Sequence, residues 1–575
     1  MKFDIVQVLL LLEVIMAGNI LTPTTIWKNF SISSSPISQF IETQTEGDIV
    51  LTKMYIDGQV KGEERVKIYG VLVKKQGVEK SPAILLCQDF EVGFDKDLVF
   101  ELVNKGYTVL SVDLAGKRED SELFTIYPQS ISYANYLEVK DNLFYVPVDA
   151  INTCWYEWAC ALRYALKFLK KQPSVSSVGG FGIGKSATAL WQVAGTDNGL
   201  KCAVFSLNAG WHGYQGIYKF AGQSEPQFSD NMYKFIAGVE PQAYAMHVKC
   251  QVLVLSPTNS NEYDLDRSAD TVSRISEEVF SAVHYSIGYI DRVNGEAFGV
   301  ANVFFDKFLS SRSCKFSADS DISCEVQDGK LEIKVSAKGK IKKVELYASE
   351  EIFVPCERSW QLVCGGSKVD GDYYFNYLPY QQSGQVTFFA QIYYDNGFIL
   401  STRVINKKFK PEEVSFSHKS KILYSSRQCG SESIFSPAHQ ELLSNAKINI
   451  SSTPLVEVKA GPMSIEGIYS KYGLITFKFQ AQKDKPVEGS ILMLDVYAKE
   501  SGIITIKLIS DFFGQKTEYV YQNKIIGGEV WQNIKVEMNK FKTKESMGLK
   551  SFDNINAVEF DIQDGEYLLN NILWI

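Results

Sequence analysis

Residues 49–312 alternate between apolar segments with the character of strands and amphipathic segments with the character of helices. This alternation restricts the possible folds more than any other feature. For example, "AILLC" (83–87) is strand-like, "DLVFELVNKG" (97–106) has helical spacing and "TVLSVDLAG" (108–116) is again apolar. The alternation ends with the helix-like "GVANVFFDKFL" (299–309). Nearly continuous apolar strands separated by helices predict an α/β fold, with a doubly wound, mostly parallel sheet covered on both faces.

The pattern changes after residue 312. Short alternating strands with turn signals, such as "QVTFFAQIYYDNGFILSTRVI" (385–405), predict an immunoglobulin-like β-sandwich over residues 313–410. Longer strands separated by Gly, Asp and Asn turns predict a jelly-roll, carbohydrate-binding-like domain over residues 411–575. Residues 1–48 are predicted to form an N-terminal helix and a linker.

The first apolar stretch, "MKFDIVQVLLLLEVIMAGNILTP", bears on where the protein acts. Asp4 weakens the positive region that a signal peptide needs, Glu13 interrupts the apolar run, and the uninterrupted part is too short to cross a bilayer. We therefore expect a docked helix in a cytoplasmic protein without a membrane span. The alternative is a secreted protein in which residues 1–19 act as a poor signal peptide.

Composition argues against several classes of partner. The 575 residues carry a formal net charge of −8 and no basic run, so nucleic acid is not an expected partner. The ten cysteines show no C-x-x-C spacing, and no loop has the dense carboxylates of a calcium site. We therefore expect no metal and no cofactor.

The glycine-rich segment "VGGFGIGKSATALW" (178–191) fits two different motifs. From Gly179 to Ser186 it matches G-x-x-x-x-G-K-S, the phosphate-binding loop of nucleotide-binding proteins. From Gly180 to Gly184 it matches the sharp strand–turn–helix on which α/β-hydrolases present their nucleophile. The phosphate-loop interpretation lacks a strong preceding strand, and neither following apolar strand ends in the aspartate that would organise magnesium. We therefore favour the elbow and keep nucleotide binding as an alternative.

A series of segments, in order along the chain, resembles bacterial α/β-hydrolases of the acetyl xylan esterase or dienelactone hydrolase type that carry two C-terminal β domains. The segments are "LTPTTIWKNF…RVKIYGVLV", "KGYTVLSVDLAGK", the elbow, "ELYASEEIFVPCERSWQLV…FFAQIYYDNGFILSTRV" and "WQNIKVEMNKFKTK…NNILWI". The resemblance implies a serine at the centre of the elbow, an aspartate in the loop after a late strand and a histidine in the last loop. Together these would form a Ser-His-Asp triad.

The sequence departs from this pattern at each triad position. Gly182 stands at the predicted centre of the elbow, and Ser260 stands where the acid is expected. The last loop, from Gly288 to Gly299, contains Arg292 and Asn294 but no histidine. Because glycine has no side chain with which to attack a carbonyl carbon, we expect the triad chemistry to be lost.

Four other residues could replace parts of a triad. Ser186 lies one helical turn after Gly182, and Cys87 ends the strand before the loop "QDFEVG". Asp264 could act as a displaced acid, and His212, in "NAGWHGYQG", could border the pocket. Each also has an ordinary structural explanation: a hydroxyl bonded to the first turn of a helix, a buried thiol, a solvated carboxylate and a core imidazole.

Trp531 and Trp574 are the candidate aromatic residues for binding sugar, although tryptophans in alternating strands are more commonly core residues. The favoured hypothesis is a pseudoenzyme that resembles a carbohydrate esterase. It would bind a carbohydrate or ester-like ligand in the former pocket, or a protein partner along the β domains. The alternatives are an active carboxylic-ester hydrolase or deacylase with a non-standard nucleophile, and a nucleotide-binding protein.

Overall fold

A computed structural model gives the fold of most of the chain. The residues it describes are 20–119, 121–224, 226–260, 263–289, 293, 295–310, 315–363, 365–379, 384–416, 422–426, 431, 434–436, 456–480, 484–486, 488–512, 515–562 and 565–575. The N-terminal segment 1–19 lies outside these residues, so the prediction of a docked helix there remains a prediction. None of the helices in the described ranges is long and apolar enough to cross a membrane.

The first part of the chain is a layered α/β structure. Its strands are β1 (Ser38–Glu46), β2 (Ile49–Lys61), β3 (Glu64–Lys75), β4 (Ser81–Cys87), β5 (Thr108–Val112), β6 (Val175–Ile183), β7 (Cys202–Ser206), β8 (Gln251–Asn259) and β9 (Ser281–Tyr289). Its α-helices are α1 (Pro23–Ile26), α2 (Lys96–Asn104), α3 (Tyr136–Val139), α4 (Cys154–Lys170), α5 (Ala187–Thr196), α6 (Asp230–Gly238), α7 (Pro241–Tyr244), α8 (Leu265–Val272) and α9 (Gly295–Phe308).

The strands of this part form one sheet in the order β1-β2-β3-β5-β4-β6-β7-β8-β9. Neighbouring strands from β5 to β9 are parallel, and those from β1 to β5 are antiparallel. Buried residues of α4 and α5 pack on one face of the sheet, and buried residues of α2 and α9 pack on the other. The sequence-based prediction of a sheet covered by helices on both faces is therefore confirmed, but the sheet is mixed, with its parallel part running from β5 to β9.

The sequence analysis missed the beginning of this sheet. Residues 38–46, which were predicted to be part of a linker, form β1 and pair antiparallel with β2. Nearly every residue of β1 is exposed. The strand therefore lacks the alternation of apolar and polar residues that would identify it, and its backbone pairing with β2 holds it in place.

The remainder of the described chain is formed by strands. They are β10 (Ser320–Gln327), β11 (Lys330–Ala337), β12 (Ile341–Glu350), β13 (Gln361–Val363), β14 (Ser367–Val369), β15 (Asp372–Tyr377), β16 (Gln385–Tyr394), β17 (Ile399–Ser401), β18 (Ile405–Lys408), β19 (Ile422–Tyr424), β20 (Glu457–Ala460), β21 (Glu466–Tyr469), β22 (Leu474–Thr476), β23 (Ile491–Ala498), β24 (Gly502–Ser510), β25 (Thr517–Ile525), β26 (Gln532–Glu537), β27 (Ile555–Ile562) and β28 (Tyr567–Trp574).

These strands enclose two further cores. The sheet β10-β11-β15-β14 packs against β12, β16 and their neighbours around one apolar cluster. The sheets β20-β21-β28-β23-β26 and β22-β27-β24-β25 enclose the other. The chain therefore has two β-sandwiches after the α/β layer.

The first sandwich shares a sheet with the α/β layer. Strand β17 pairs with β9 at Ser401 and Val283, which makes a continuous sheet of 14 strands. The Ser401 hydroxyl also accepts a hydrogen bond of 2.9 Å from the backbone N–H of Tyr285. The Gln391 amide donates one of 2.6 Å to the Tyr285 carbonyl. No local pattern in the sequence predicts this junction.

A buried ion pair fastens the same two parts. The Arg358 guanidinium donates to both carboxylate oxygens of Asp266, on α8, at 2.5 and 2.7 Å, and both side chains are fully buried. Nearby, the Asn259 amide at the end of β8 donates to the carbonyls of Cys356 and Arg358 at 3.0 and 2.7 Å. The carboxyl edge of the parallel sheet therefore lies directly against the first β-sandwich.

Candidate functional site

The turn after β6 has the strand–turn–helix form that was predicted, but its centre lies two residues later than expected. Strand β6 continues through Gly182 to Ile183, which pairs with Ser206 of β7. Gly184 then adopts a left-handed φ of +64°, and α5 follows after a single 3-10 turn. The assignment of Gly182 to the centre of the elbow is therefore wrong. Gly184 is the residue that turns the chain outward.

Gly182 has a packing role. A Cβ atom at this position would lie only 2.8 Å from the Cα atom of Ala187, in the first turn of α5. The absence of a side chain lets the helix approach the strand closely, which is one reason such elbows are rich in glycine.

A carboxylate from a neighbouring loop fills the space beside Gly184. The Oδ2 atom of Asp89, just after β4, accepts a hydrogen bond of 2.7 Å from the backbone N–H of Lys185. A Cβ atom at Gly184 would overlap this same Oδ2 atom. In a nucleophile elbow, the N–H that follows the nucleophile is a donor of the oxyanion hole. Here Asp89 already occupies that donor, and burial raises the pKa of its carboxyl group.

The phosphate-loop interpretation of Gly179 to Ser186 is wrong on geometry. Gly180 to Ile183 are extended and pair with β7, and β4 pairs with the other side of the strand. Their backbone groups therefore serve the sheet and do not surround a phosphate group. The N–H of Lys185 is bonded to Asp89. A phosphate loop requires several free backbone N–H groups pointing at the ligand.

Neither proposed substitute nucleophile is placed to react. Ser186 is fully buried, and its hydroxyl donates to the carbonyls of Cys87 and Ile183 at 3.1 and 2.9 Å. Cys87 is also fully buried, and burial raises the pKa of its thiol to about 12. A thiol in this state is protonated at neutral pH and is a poor nucleophile. The structure therefore favours the structural explanation of both residues.

Two candidate residues, Ser260 and Asp264, lie near the position expected for the triad acid. Ser260 follows β8 and lines a cavity. Asp264 caps the N-terminus of α8, where it accepts from the N–H groups of Asp266 and Arg267, and it also pairs with the Arg267 guanidinium at 2.8 Å. Burial, with the nearby charge of Asp266, raises the pKa of the Asp264 carboxyl group. Asp264 lines the same cavity but has the contacts of a helix cap.

This cavity, of about 460 Å³, opens at the carboxyl edge of the sheet beside the elbow. All three parts of the chain contribute to its wall: Lys185 from the elbow, Glu357 from the first sandwich and Asp511 from the second. Aromatic side chains form much of the lining: Phe144, Trp211, Tyr214, Tyr218 and Tyr263. Sequence analysis identified His212, Ser260 and Asp264 among the lining residues, and Lys185 as part of the phosphate-loop motif. The others are far apart in sequence, and only the fold brings them together.

His212 lines the cavity, whereas the Ser186 hydroxyl donates to two backbone carbonyls and not to the imidazole. The imidazole ring stacks on Phe144 with centroids 5.2 Å apart, and its Nδ1 atom lies 3.7 Å from Oε1 of Glu240. Burial, with the charge of Lys185, lowers the pKa of His212 to about 4, so the imidazole is neutral.

Glu240 is a functional candidate that the sequence did not reveal. It is fully buried and accepts hydrogen bonds from the N–H groups of Gly213 and Trp211 at 2.8 and 3.0 Å, and from the Gln242 amide. Burial raises the pKa of its carboxyl group to about 7 despite these donors. His212 and Glu240 therefore form a buried pair that titrates at the edge of the cavity.

The other histidines do not complete a triad within the described residues. His284 is buried in β9, and its Nε2 atom lies 3.4 Å from the Ser286 hydroxyl and 3.3 Å from Glu296. Both contacts use one nitrogen, whereas a relay from acid to nucleophile uses both. His247 follows α7 in a short 3-10 turn. His418, His439, Arg292 and Asn294 lie outside the described residues.

The two candidate sugar-binding tryptophans differ in position. Trp574 is only 4% exposed and packs on Phe479 and Phe552 in the core of the second sandwich. It cannot present its ring to a ligand, so its assignment as a binding residue is wrong. Trp531 is only partly buried, on the opposite side of its sheet from this core.

No family model and no curated protein matches the sequence. Among solved structures, the acetyl xylan esterase from Paenibacillus sp. R4 aligns at a TM-score of 0.38 and 12% identity, over 50% of this chain and 92% of that one. Acetyl xylan esterase 1 from Thermoanaerobacterium sp. JW/SL YS485 aligns at 0.35 and 13%, over 48% and 90%. A putative dienelactone hydrolase from Klebsiella pneumoniae subsp. pneumoniae MGH 78578 aligns at 0.27 and 14%, over 41% and 85%. At these scores no conclusion about the chemistry of this chain rests on the likeness.

Proposed function

We propose that this protein is a catalytically degenerate α/β-hydrolase, which binds a small carbohydrate or ester-like ligand and does not cleave it. One observation carries the proposal: Asp89 occupies the Lys185 N–H beside Gly184. Acyl transfer needs a nucleophile at the turn and free donors for the developing oxyanion. At this turn a glycine stands where the nucleophile is needed, and the Asp89 side chain accepts the hydrogen bond that the oxyanion would need.

The cavity supports a binding role. Its volume of about 460 Å³ falls within the range of about 300–1,000 Å³ that is usual for small-molecule sites. Trp211 and Tyr214 offer ring surfaces, and Gln215 and Ser260 offer groups that can both donate and accept hydrogen bonds. The wall also contains the charged residues Lys185, Asp264, Glu357 and Asp511, so ring surfaces lie beside groups that can bond to the hydroxyl groups of a sugar or of a sugar ester.

The proposal extends to the other parts of the chain. We assign the sandwich of β10–β18 to the immunoglobulin-like class and that of β19–β28 to the jelly-roll class. The support is their two-sheet packing around separate cores. A cytoplasmic location is proposed on the sequence of residues 1–19 alone.

The first test is catalytic. The purified full chain is incubated with p-nitrophenyl acetate, and separately with a fluorophosphonate probe followed by mass spectrometry. We expect neither turnover above the uncatalysed rate nor a covalent adduct. Turnover that is abolished by Ser186→Ala, or an adduct on Cys87, would establish the alternative of an active hydrolase and overturn the proposal.

The second test is of binding. Thermal unfolding is followed with xylo-oligosaccharides and with their acetylated forms, for the wild-type chain, for Tyr214→Ala in the cavity wall and for Tyr472→Ala. Tyr472 is 44% exposed in the second sandwich and serves as the matched control. We expect stabilisation by at least one of these ligands, which Tyr214→Ala removes and Tyr472→Ala retains. Stabilisation that persists in Tyr214→Ala, or its absence with every ligand, contradicts binding of these ligands in the cavity.

A further inference from the structure

The sheet β20-β21-β28-β23-β26 has apolar core residues on its inner face and polar side chains on part of its outer face. In β26, Ile534 and Val536 point into the core, whereas Asn533 points outward and is exposed. In β23, Leu494 and Val496 belong to the core, so Asp495 and its neighbours two residues away lie on the outer face. The register pairs Asp495 directly with Asn533. Side chains from two strands therefore meet on a surface that belongs to no core.

An indole ring covers one end of this face. The six-membered edge of Trp531 lies against Gly461 and Gly467, where a Cβ atom would come within 2.9 Å of the ring. Its Nε1 atom donates to the Pro462 carbonyl at 3.3 Å, and the ring centroid lies 5.9 Å from that of Tyr497. These contacts fix the orientation of the ring while part of it stays open to solvent.

A polar cluster adjoins the ring. One oxygen of Asp495 accepts from the Asn533 amide at 2.8 Å, and the other accepts from the Asn571 amide at 2.7 Å. Asp495 lies two residues before Tyr497 on β23, or about 7 Å along the strand. No lysine or arginine pairs with Asp495 among the described residues. Each carboxylate oxygen has lone pairs beyond the one used, and Asn533 keeps a carbonyl oxygen and a second N–H.

We propose that this face, composed of Trp531, Asp495, Asn533 and Asn571, is a binding site for a neutral polysaccharide chain. It is distinct from the cavity at the elbow. The C–H face of a sugar ring packs on an indole, and its hydroxyl groups both donate and accept hydrogen bonds, which matches a carboxylate held by amides. An anionic polymer would bring its own carboxylates close to that of Asp495, which has no ion-pair partner among the described residues. The fixed ring and the pre-formed cluster lose little conformational entropy on binding.

The test is affinity electrophoresis of the full chain in native gels that contain arabinoxylan, glucomannan, polygalacturonate or no polymer. We expect arabinoxylan or glucomannan to retard the wild-type chain, and polygalacturonate to leave its mobility unchanged. Trp531→Ala should abolish the retardation, and Asn533→Ala should weaken the apparent affinity at least five-fold. Tyr472→Ala, an exposed aromatic substitution in the same sandwich, should behave as wild type.

The remaining outcomes decide against the site. Absence of retardation in both neutral polymers, or retention of binding by Trp531→Ala and Asn533→Ala together, overturns the proposal. If Trp531→Ala does not fold, retardation by the neutral polymers is compared instead for Asn533→Ala and the conservative Trp531→Phe, since neither removes a core side chain. Tyr214→Ala distinguishes this site from the cavity: retardation by polymer should survive that substitution even where the binding of small ligands is lost.

Discussion

The backbone N–H of Lys185 donates a hydrogen bond of 2.7 Å to the carboxylate of Asp89, across 96 positions of the chain. The bond places a buried carboxyl group at the carboxyl edge of the sheet, between the loops that follow β4 and β6. Ligands of open α/β sheets commonly bind at such an edge, where strand order reverses. In this molecule a side chain of the protein occupies that position.

The first prediction concerns Gly184. We expect Gly184→Ala to destabilise the fold by more than the roughly 1–2 kcal/mol that a left-handed φ costs an L-residue, because the added Cβ atom also meets Asp89. The measurement is urea unfolding of Gly184→Ala, Asp89→Ala and the double variant. The double variant should lose less than the sum of the single losses.

Gly62 provides the control for that cycle. Its φ is +65°, and no atom lies within 4 Å of a Cβ atom built there. Gly62→Ala should therefore show only the backbone penalty and should be additive with Asp89→Ala. Equal losses at Gly62 and Gly184 would contradict a steric conflict with Asp89.

The second prediction concerns the pH dependence that Glu240 imposes. Burial raises its pKa from 4.5 to about 7, so the fold favours the protonated acid, and stability is lost as pH rises from about 4.5 through 7. His212 acts in the opposite sense: its pKa is lowered from 6.5 to about 4, so stability is lost as pH falls from 6.5 toward 4. Between these limits the two effects oppose each other.

Glu240→Gln separates the two contributions. We expect the unfolding midpoint of this variant to be flatter than that of the wild-type chain between pH 6 and 8, and still to fall below pH 6 because His212 remains. The measurement is the urea midpoint at half-unit pH intervals. If the urea midpoint of Glu240→Gln changed with pH between 6 and 8 as steeply as that of the wild-type chain, Glu240 would not be the source of this dependence.

The third prediction concerns the buried pair between Arg358 and Asp266. Arg358→Met should destabilise the fold by about 3–5 kcal/mol, because it leaves the Asp266 carboxylate buried without its partner. The double variant Arg358→Met/Asp266→Leu should recover much of that loss. Arg403, whose pair with Asp321 is exposed on both sides, supplies the control: Arg403→Met should change the free energy of unfolding little.

The fourth prediction concerns the thiol of Cys87. With its pKa raised to about 12 and its side chain fully buried, it should resist iodoacetamide at pH 8 in the native chain and react after denaturation. Peptide mass spectrometry reports the site. The partly exposed Cys324, whose thiol pKa burial also raises to about 12, serves as the internal comparison for access to the reagent. Rapid native alkylation of Cys87 would revive it as a candidate nucleophile.

The sequence predicted the layers of the fold because strand and helix periodicities are local. The segment with helical spacing at 97–106 matches the helix Lys96–Asn104 to within two residues. The sequence analysis failed at β1, where the residues are exposed and carry no alternation, and at the junction of β9 with β17, which depends on residues more than a hundred positions apart.

The site was less predictable than the fold. Three glycines spaced by two residues indicate a tight turn, but nothing local says which of them takes the positive φ. The motif predicts Gly182 at the centre, whereas Gly184 is the residue that turns. The meeting of Asp89 with Lys185, and of His212 with Glu240, is tertiary. The sequence pattern could not show that Trp574 is buried and Trp531 is partly exposed, because both residues occur in similar alternating strands.

The pairing of β9 with β17 also limits how this protein can be divided. A fragment cut between the α/β layer and the first sandwich would uncover an unpaired strand on each side, with the apolar Val283 and Ile399 near the new margins. Bare strand margins recruit other chains, so such fragments should self-associate and precipitate. We therefore expect the α/β layer and the first sandwich to occur together in related proteins and not to be exchanged as separate domains.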